Sequence, residues 1–481
     1  MFRFVCLVLM HKLQIEQIYT GCLSQGSYYL ICGDDAIIID PIREPDPYLE
    51  RLQRDKVNLK YIFETHFHAD FVSGHLELSQ ITGAPIVFGP NAHTDFESII
   101  AKDEQVFSFG NCKIKLLHTP GHTLESSVLL LLDETGKEKA LFTGDTLFIG
   151  DVGRPDLAQD SALLTKEELA GMLFDSLRNK VMSLPESTII YPAHGAGSAC
   201  GKNISRETVS TLGEQLRSNY ALRQNMTRDE FIAEVLNGLS LPRGYFALNV
   251  ALNKHGYQNL NTVIDSSLKA LSVEQFERSI LESNALILDT RRANEFYSGF
   301  VPGSLNIGLS GEFAPWAGAI IVDIKQAIIL ISKPGTEREA IIRLSRVGFD
   351  NVLGYLDGGF DAWKNAGKPI EHAQRITATQ LEKDFNLEEF SIIDIRSHFE
   401  FEKGHLKDSI NYPLDEINIW SEEFDTSKDL IIICASGYRS MIASSILKAK
   451  GIHRFYEVEG GFNAIKGTSL GQSTVETVIG A

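Results

Sequence analysis

The sequence is poor in cysteine, and the cysteines that it has are far apart. None of them forms a CxxC pair, and the six are Cys6, Cys22, Cys32, Cys112, Cys200 and Cys434. A disulfide framework normally needs a short, cysteine-rich chain. Free thiols in a reducing cytoplasm are therefore expected.

Positive charge is also scarce. The formal net charge is -18, and no run of lysine and arginine offers a local basic stripe. An acidic chain repels the phosphate backbone of DNA and RNA. The composition therefore argues against a nucleic-acid partner.

Long apolar runs are missing as well. The stretch from Phe4 to Met10 is far shorter than the ~20 residues that span a bilayer. Arg3 precedes it, but no small-residue cleavage site follows, so it does not fit a signal peptide. The segment favours Met10 over Met1 as the first residue, and a cytoplasmic location without a membrane partner is expected.

What is present fits a globular chain of several domains. The 481 residues suggest about three domains. In the first half, apolar and β-branched runs end at Gly, Pro or Asp, and a helical pattern occupies residues 166–181. The runs cover residues 36–40, 60–65, 126–132, 139–145 and 187–195. Strands with helices between them predict an αββα sandwich for residues 1–260.

The second half contains an internal repeat of roughly one hundred residues. The segment 286–309 resembles 392–414, and the segment 356–371 resembles 458–470. Each copy alternates strands and helices, which predicts two small parallel α/β domains. Their expected bounds are 261–372 and 373–481.

Four motifs with metal-capable side chains follow strands of the first half. They read THFHAD, TPGHT, GDTLF and YPAHG, and they supply His66, His68, Asp70, His122, Asp145 and His194. Strand ends at one sheet edge converge, and loops there carry chemistry on a rigid scaffold. A lone histidine is usually structural, but four such motifs in this order predict a metal site.

These motifs resemble those of the metallo-β-lactamase superfamily, in its glyoxalase II-like branch. That branch usually carries HxHxDH, whose last histidine serves a second metal. Here the sixth position is Phe71, which cannot ligate a metal. The second site loses a ligand, which argues against a dinuclear zinc hydrolase.

The remaining pattern resembles the persulfide dioxygenases of the same branch. The resemblance implies one Fe(II) per chain, held by His66, His122 and Asp145. Two imidazoles and one carboxylate form the ligand set of many non-heme Fe(II) oxygenases. Three further side chains would orient the ligands and water: His68, Asp70 and His194. Zinc also accepts His and Asp ligands and is the alternative metal.

Two residues near these motifs are candidates for handling the sulfur substrate. Arg154 lies in the DVGRPD segment and is predicted to pair with an anionic group of the thiol carrier. A surface salt bridge is the alternative. Cys200 follows His194 in a segment that resembles one carrying a cysteine near the metal in persulfide dioxygenase–rhodanese fusions. The resemblance implies that Cys200 carries or relays sulfur, and a loop cysteine without a role is the alternative.

The last copy of the repeat contains a second motif. An apolar strand at 429–433 runs into CASGYRS at 434–440, which resembles the CxxGxR[ST] loop of rhodaneses. Backbone N–H groups and a helix N-terminus would form an anion cradle that favours the thiolate or persulfide of Cys434. Arg439 would hold a sulfite or thiosulfate oxygen. The other residues expected to contact the substrate are Ser436, Gly437 and Ser440.

The first copy of the repeat lacks this chemistry. Ser332 takes the place of Cys434, and Glu337 takes the place of Arg439. A serine cannot hold a persulfide, and a carboxylate in an anion cradle repels the substrate. The first copy is therefore predicted to be a catalytically inactive spacer or docking domain.

Over nearly its whole length the chain is similar to bacterial persulfide dioxygenase–sulfurtransferase fusions. The resemblance implies oxidation of a low-molecular-weight persulfide by O2 to sulfite and thiol. Sulfane sulfur would pass between Cys434 and sulfite or thiosulfate, in either direction, and the protein would be a homo-oligomer. The alternatives are a zinc thioester hydrolase of the glyoxalase II type and a non-enzymatic sulfur carrier with a structural metal. Glutathione, coenzyme A and bacillithiol all fit as the thiol carrier.

Overall fold

The computed structural model describes residues 12–157, 164–239, 241–422 and 427–474. The expected choice between Met1 and Met10 as the start lies outside the described residues. The chain divides into two compact units, and the second comprises residues 261–344 and 349–481. The first comprises residues 1–260 and 345–348. The domain bounds expected from the sequence stay predictions.

Two six-stranded sheets form the first unit. One sheet has the order β1-β2-β3-β4-β5-β6, and the other has the order β12-β11-β10-β9-β8-β7. The strands are β1 (Gln14–Thr20), β2 (Gln25–Cys32), β3 (Asp35–Ile39), β4 (Asn58–Phe63), β5 (Ile86–Phe88), β6 (Ile99–Ile100), β7 (Val106–Phe109), β8 (Cys112–His118), β9 (Ser127–Leu132), β10 (Glu138–Gly144), β11 (Ile189–Pro192) and β12 (Ser210–Thr211).

Helices accompany both sheets. They are α1 (Asp46–Asp55), α2 (His75–Thr82), α3 (Lys166–Ser176), α4 (Leu212–Ser218), α5 (Arg228–Leu236) and α6 (Phe246–His255). A π-helical turn at Leu177–Val181 continues α3, so the helical pattern expected over 166–181 is confirmed.

Side-chain alternation along the strands builds a core on each face of the second sheet. In β9, Leu129 packs with Leu30 and Phe63 of the first sheet. Its neighbour Val128 points the other way and packs with Leu173 of α3. Successive residues of a strand face opposite sides, so one apolar run serves both layers. The expected αββα sandwich is confirmed.

A disulfide between Cys32 and Cys112 corrects the expectation of free thiols. Cys32 ends β2 and Cys112 begins β8, with their Cα atoms 6.1 Å apart. This distance lies within the range that a disulfide bridges. The two positions are 80 residues apart in sequence, so their spacing gives no sign of the pairing. Cys22, Cys200 and Cys434 are free.

The second unit contains two five-stranded parallel sheets with the same topology. Their orders are β13-β17-β16-β14-β15 and β18-β23-β22-β19-β21, while β20 and β24 form an antiparallel pair. The strands of the first sheet are β13 (Ala270–Leu271), β14 (Leu286–Asp289), β15 (Leu305–Asn306), β16 (Ile328–Ile331) and β17 (Val352–Leu356). The others are β18 (Arg375–Thr377), β19 (Phe390–Asp394), β20 (His405–Leu406), β21 (Ile410–Asn411), β22 (Asp429–Ile433), β23 (Phe455–Glu459) and β24 (Gln472–Ser473).

The helices between these strands complete two α/β domains. They are α7 (Leu260–Ser267), α8 (Val273–Ser283), α9 (Ala293–Tyr297), α10 (Phe313–Ile320), α11 (Glu337–Ser345), α12 (Gly359–Asn365), α13 (Ala378–Asp384), α14 (His398–Glu402), α15 (Ile417–Trp420), α16 (Tyr438–Ala449) and α17 (Gly461–Ile465). The equal strand orders confirm the repeat and its parallel sheets. No described helix combines the length and the apolar character needed to cross a bilayer.

Candidate metal centre and sulfur-binding loop

His66, His122 and Asp145 meet at one edge of the sandwich, each in a segment that follows a strand. Their potential ligand atoms all lie within 4.8 Å of one another, and all three side chains are buried. The distance from Asp145 Oδ2 to His122 Nε2 is 3.4 Å, and that to His66 Nε2 is 3.9 Å. Neither oxygen of the Asp145 carboxylate has a hydrogen-bond partner among the described residues. A buried carboxylate left without partners fits a metal ligand.

Hydrogen bonds to the far side of each ring turn the histidines toward this point. His66 Nδ1 lies 3.0 Å from the Thr65 hydroxyl, which donates to Asp40 at 2.9 Å. With its own proton committed, the hydroxyl accepts from Nδ1 and leaves Nε2 free. His122 Nδ1 donates to the carbonyl of Arg154 at 2.8 Å. Both rings therefore direct a free Nε2 atom toward this point, which is the orientation that a metal ligand would need.

His68 is turned away from the other two histidines toward a pair of buried carboxylates. Its Nε2 lies 3.2 Å from Asp40 Oδ1 and 3.3 Å from Glu64 Oε2. Burial opposes a charge on this ring, but the two carboxylates outweigh it and raise the pKa of His68 well above its ordinary value. His75 also contacts Glu64, at 3.1 Å. The ring of His68 therefore groups with Asp40 and Glu64 and not with His66, His122 and Asp145.

Asp70, His194 and Cys200 form a second buried group beside Asp145. Their potential ligand atoms also lie within 4.8 Å of one another. His194 Nε2 is 3.5 Å from Asp70 Oδ2 and 3.5 Å from Asp145 Oδ1. Phe71 is fully buried, and its ring packs at a tilt against that of His68, with 4.3 Å between centroids. Phe71 replaces the last histidine of the HxHxDH motif. The group beside Asp145 therefore consists of Asp70, His194 and Cys200.

The ionisation of these groups follows from burial. Burial, together with the charges of the neighbouring histidines His68, His122 and His194, lowers the pKa of His66 well below its ordinary value. His66 is thus neutral at pH 7, the form that binds metals. Burial and the carboxylates of Asp70 and Asp145 raise the pKa of the Cys200 thiol well above its ordinary value.

Arg154 lies next to the centre, but a carboxylate already accompanies its guanidinium. Its side chain is buried, and Nε and Nη2 donate to Asp156 at 2.7 and 2.6 Å. Its backbone N–H donates to the carbonyl of Cys200 at 2.9 Å. Gly153 allows this close packing, because an added Cβ would lie 2.0 Å from the carbonyl oxygen of Asp145. A role of Arg154 toward an anionic substrate stays a prediction.

The loop after β22 surrounds the sulfur of Cys434. The N–H of Gly437 donates to Sγ at 3.0 Å, and the hydroxyl of Ser440 lies 3.3 Å from it. Gly437 adopts a φ of 100° and caps α16, a conformation that favours glycine. The structure thus brings Cys434, Gly437 and Ser440 together, as the sequence predicted, while Ser436 is not among the described residues that hydrogen-bond to the sulfur.

Arg439 is paired with a carboxylate that no sequence motif indicated. Its Nη1 and Nη2 donate to Glu400 at 2.6 and 2.7 Å. Burial acts against ionised Glu400, but the Arg439 guanidinium dominates and lowers the pKa of that carboxyl below its ordinary value. An incoming anion at Arg439 has to compete with Glu400.

The corresponding loop of the first copy is closed by its own carboxylate. Gly335 occupies the position of Gly437, and its N–H donates to Glu337 Oε2 at 2.9 Å. Ser332 Oγ is 2.8 Å from Thr290 Oγ1. The backbone donor that contacts sulfur in the last copy is thus occupied here.

Sequence reasoning missed the buried acids around both sites. Asp40 and Glu64 hold His68, Glu400 holds Arg439, and Glu457 contacts Ser440 at 2.6 Å. Asp40 lies at the end of an apolar strand and Glu457 lies within one. An acidic residue in such a strand indicates a buried carboxylate, and this pattern could have identified both residues. Neither position indicates which distant side chain it meets.

Known proteins match both halves of the chain. A model of the metallo-beta-lactamase superfamily matches residues 23–194, and a rhodanese-like domain model matches 272–366 and 377–468. A hydroxyacylglutathione hydrolase of Tolumonas auensis is 37% identical over 34% of this chain, which spans only 58% of that relative's length. A mitochondrial persulfide dioxygenase of Bos taurus is 30% identical over 45% of this chain and 78% of its own length.

A solved structure covers more of the chain. A metallo-beta-lactamase from Staphylococcus aureus subsp. aureus COL is 29% identical, with a TM-score of 0.64. It covers 72% of this chain and 99% of its own. Together with the sandwich and the two repeated sheets, these matches show that the chain belongs to the metallo-β-lactamase superfamily and carries two rhodanese-like domains after its metallo-β-lactamase domain.

Proposed function

We propose that the first unit is a persulfide dioxygenase with one Fe(II) per chain, and that the last domain is a sulfurtransferase. The oxidation is R–S–SH + O2 + H2O → R–SH + SO3²⁻ + 2 H⁺, where R–SH is a low-molecular-weight thiol. In the second reaction, the Cys434 thiolate exchanges sulfane sulfur with thiosulfate or a persulfide. The sulfite made by the first reaction is a substrate for the second.

The observation that carries the dioxygenase proposal is the position of His68. With its ring held by Asp40 and Glu64, the centre offers His66, His122 and Asp145. Two imidazoles and one carboxylate leave coordination positions for substrate and are typical of non-heme Fe(II) oxygenases. Fe(II) bound there supplies the redox chemistry that lets O2 react with a persulfide sulfur.

The side chains around the metal ligands would orient the histidine rings and exclude bulk water, while Cys200 would accept sulfur. Thr65 and the Arg154 carbonyl fix the two histidine rings. Burial of all three ligands keeps bulk water away from the oxidation. Cys200 lies beside Asp70 and His194, where its sulfur can receive sulfane sulfur close to the centre.

The sulfurtransferase proposal is supported by the contacts of the Cys434 sulfur. In the exchange with thiosulfate, the Cys434 thiolate attacks the outer sulfur and a new S–S bond forms. The S–S bond of thiosulfate breaks, and sulfite leaves with the electron pair. The Gly437 N–H stabilises negative charge on Sγ throughout. The first copy, with Ser332 and Glu337 in its loop, takes no part.

Metal analysis combined with oxygen uptake tests the proposal. The purified protein is expected to hold about one iron per chain and to consume O2 when given glutathione persulfide. Thiosulfate is expected to form when sulfite is added. Two zinc ions per chain and no oxygen uptake with the persulfides of glutathione, coenzyme A or bacillithiol would overturn it.

A zinc thioester hydrolase is the second candidate, and one observation favours it. Asp70, His194 and Cys200 offer ligand atoms for a second ion beside Asp145, and two metals are the usual requirement for such hydrolysis. This candidate predicts hydrolysis of S-acylglutathione without O2. Absence of that hydrolysis in protein reconstituted with zinc rejects it.

The proposed setting is the cytoplasm, with small molecules as the partners. Glutathione and related thiols are kept reduced there, and the Cys32–Cys112 disulfide is unusual for that compartment. We propose a homo-oligomer that binds a thiol persulfide, O2, and sulfite or thiosulfate. Cell fractionation that recovers the intact chain with the membrane contradicts the compartment, and sedimentation analysis tests the oligomer.

A further inference from the structure

A chain of hydrogen bonds runs from Cys434 into the core of the last domain. The Cys434 thiol lies 3.3 Å from the Ser440 hydroxyl, which lies 2.6 Å from Glu457 Oε1. Arg375 Nε donates to the other oxygen of Glu457 at 2.6 Å. The side chains of Cys434, Ser440 and Glu457 are at most 1% exposed.

Glu457 is an unusual residue for its place in the fold. It lies in β23, between β18 and β22 of the parallel sheet, opposite Arg375 on one side and Ile432 on the other. The equivalent position in the first copy, opposite Leu330, is Tyr355. A buried carboxylate costs free energy unless it is paired. A glutamate thus occupies this position in the last copy, which has Cys434, and a tyrosine occupies it in the first copy, which has Ser332 instead.

The hydroxyl of Ser440 has a single proton, and this fixes the donor and the acceptor of each hydrogen bond between Cys434 and Glu457. Its short contact with Glu457 places that proton toward the carboxylate. The oxygen of Ser440 can then only accept from the Cys434 thiol. In this arrangement the thiol points its proton along a path that ends at a base.

We infer that Ser440 and Glu457 form a proton relay that converts the Cys434 thiol into the thiolate. The S–H bond breaks and its proton passes to Ser440 Oγ, while the proton already on Ser440 passes to Glu457 Oε1. The products are a thiolate and a neutral Glu457, so charge and protons balance. Ser440 then donates to the sulfur, beside the N–H of Gly437. The inference rests on the proposed sulfurtransferase function and adds how its nucleophile is prepared.

The charges that face Glu457 bear on how readily it accepts the proton. Burial raises its pKa, with a smaller contribution from Glu459, and Arg375 on β18 acts in the opposite direction. Arg439 on α16 interacts electrostatically with Cys434 and is paired with Glu400 of α14, and Glu312 adds negative charge near Arg439. Glu457 is the carboxylate joined to the sulfur through a hydroxyl.

Alkylation of Cys434 as a function of pH tests the relay without any sulfur donor. In the full-length protein, the rate with iodoacetamide is read by mass spectrometry of the peptide that contains Cys434. Glu457→Gln keeps the size of the side chain and an acceptor for Ser440, but it cannot take up the proton. We expect the rate at pH 7 to fall by about tenfold and the midpoint of the profile to rise by about one pH unit.

Two further variants separate the relay from a structural role. Ser440→Ala removes the hydroxyl that links Cys434 to Glu457, so it is expected to lower the alkylation rate by a similar factor. The double variant is expected to lose no more than either single one, because the residues act through one path. Glu402→Gln removes an exposed carboxylate from α14 of the same domain and serves as the matched control.

The outcomes are distinct. A Glu457→Gln profile that overlies the wild type, or losses that multiply in the double variant, would overturn the relay. If Glu457→Gln does not fold, an unchanged profile of Ser440→Ala overturns it instead. Wild-type protein that shows the relay in alkylation but transfers no sulfur refutes the sulfurtransferase proposal and leaves the relay standing.

Discussion

At the scale of single residues, the metal centre is defined by the groups behind the histidines. Thr65, the carbonyl of Arg154 and the carbonyl of Ser24 each contact an Nδ1 atom, of His66, His122 and His194 respectively. These contacts leave the Nε2 atoms of His66 and His122 facing Asp145 Oδ2, and that of His194 facing Asp70 and Asp145 Oδ1. His68 differs because its Nε2 atom meets carboxylates instead. The partner of each ring, and not the presence of a histidine, therefore decides which rings can ligate.

Thr65→Val tests this dependence. The substitution keeps the shape of the side chain but removes both the acceptor for His66 Nδ1 and the donor to Asp40. We expect metal affinity to fall by about 10–100-fold, the usual effect of losing such a partner. Competition with a chelator, followed by metal analysis, measures it. Thr135→Val in an exposed turn is the control, and equal affinities in the two variants would contradict the prediction.

The pair between Arg439 and Glu400 makes a second residue-scale prediction. If Arg439 binds the sulfur donor, Glu400 competes with it. Glu400→Gln is expected to lower KM for thiosulfate by about 1.4-fold to fivefold, because a partly exposed pair of this kind is worth about 0.2–1 kcal/mol. Steady-state sulfurtransfer measures this, and an unchanged KM excludes Arg439 from donor binding.

The pH dependence of that gain follows from the sign of the Glu400 shift. The pKa of Glu400 is lowered from its ordinary value of 4.5. The carboxylate is therefore charged throughout the neutral range, and the competition is lost only as the pH falls below that value. The advantage of Glu400→Gln is expected to stay constant from about pH 5 to 8. If the lower KM of Glu400→Gln disappeared between about pH 5 and 8, the lowered pKa of Glu400 would be contradicted.

At the scale of elements, strand ends were predictable and long-range partners were not. Apolar runs that stop at His66, Asp145 and Cys434 reveal themselves in sequence, because a strand must be followed by a polar turn at the sheet edge. The pairing of Cys32 with Cys112 joins strands of different sheets, 80 residues apart. No local pattern encodes such a meeting, since it depends on how the sheets stack. The contact between Glu457 on β23 and Ser440 on α16 is likewise not encoded in a local sequence pattern.

The loop of the first copy tests whether the residues around the cradle, and not the thiol alone, are needed for sulfur loading. Its Gly335 N–H is occupied by Glu337, so restoring a thiol alone does not restore the cradle. In a Cys434→Ala background, Ser332→Cys is expected to remain inactive in sulfurtransfer. Adding Glu337→Arg frees the Gly335 N–H and is expected to allow a persulfide to form on the new cysteine. Mass spectrometry after incubation with thiosulfate measures it, and sulfur loading of the first variant would contradict the account.

At the scale of the whole molecule, the two proposed chemistries use separate residues. The metal-ligand candidates all belong to the first compact unit, and the loop of Cys434 belongs to the second. Substitutions at sites without shared partners usually act independently. If both proposed activities are present, sulfite released at the first site would be a substrate at the second, and the two reactions would be linked through a diffusing product.

Separation of the two activities follows as the prediction for the intact protein. His122→Ala removes a metal ligand and is expected to reduce oxygen uptake with glutathione persulfide by at least about 100-fold. It is expected to leave the thiosulfate-dependent loading of Cys434 within about twofold of wild type. Cys434→Ala should show the reverse pattern, with oxygen uptake retained and thiosulfate formation lost. Loss of both activities in either variant, with the fold intact by circular dichroism, would mean that the sites depend on each other and that the two reactions are not independent.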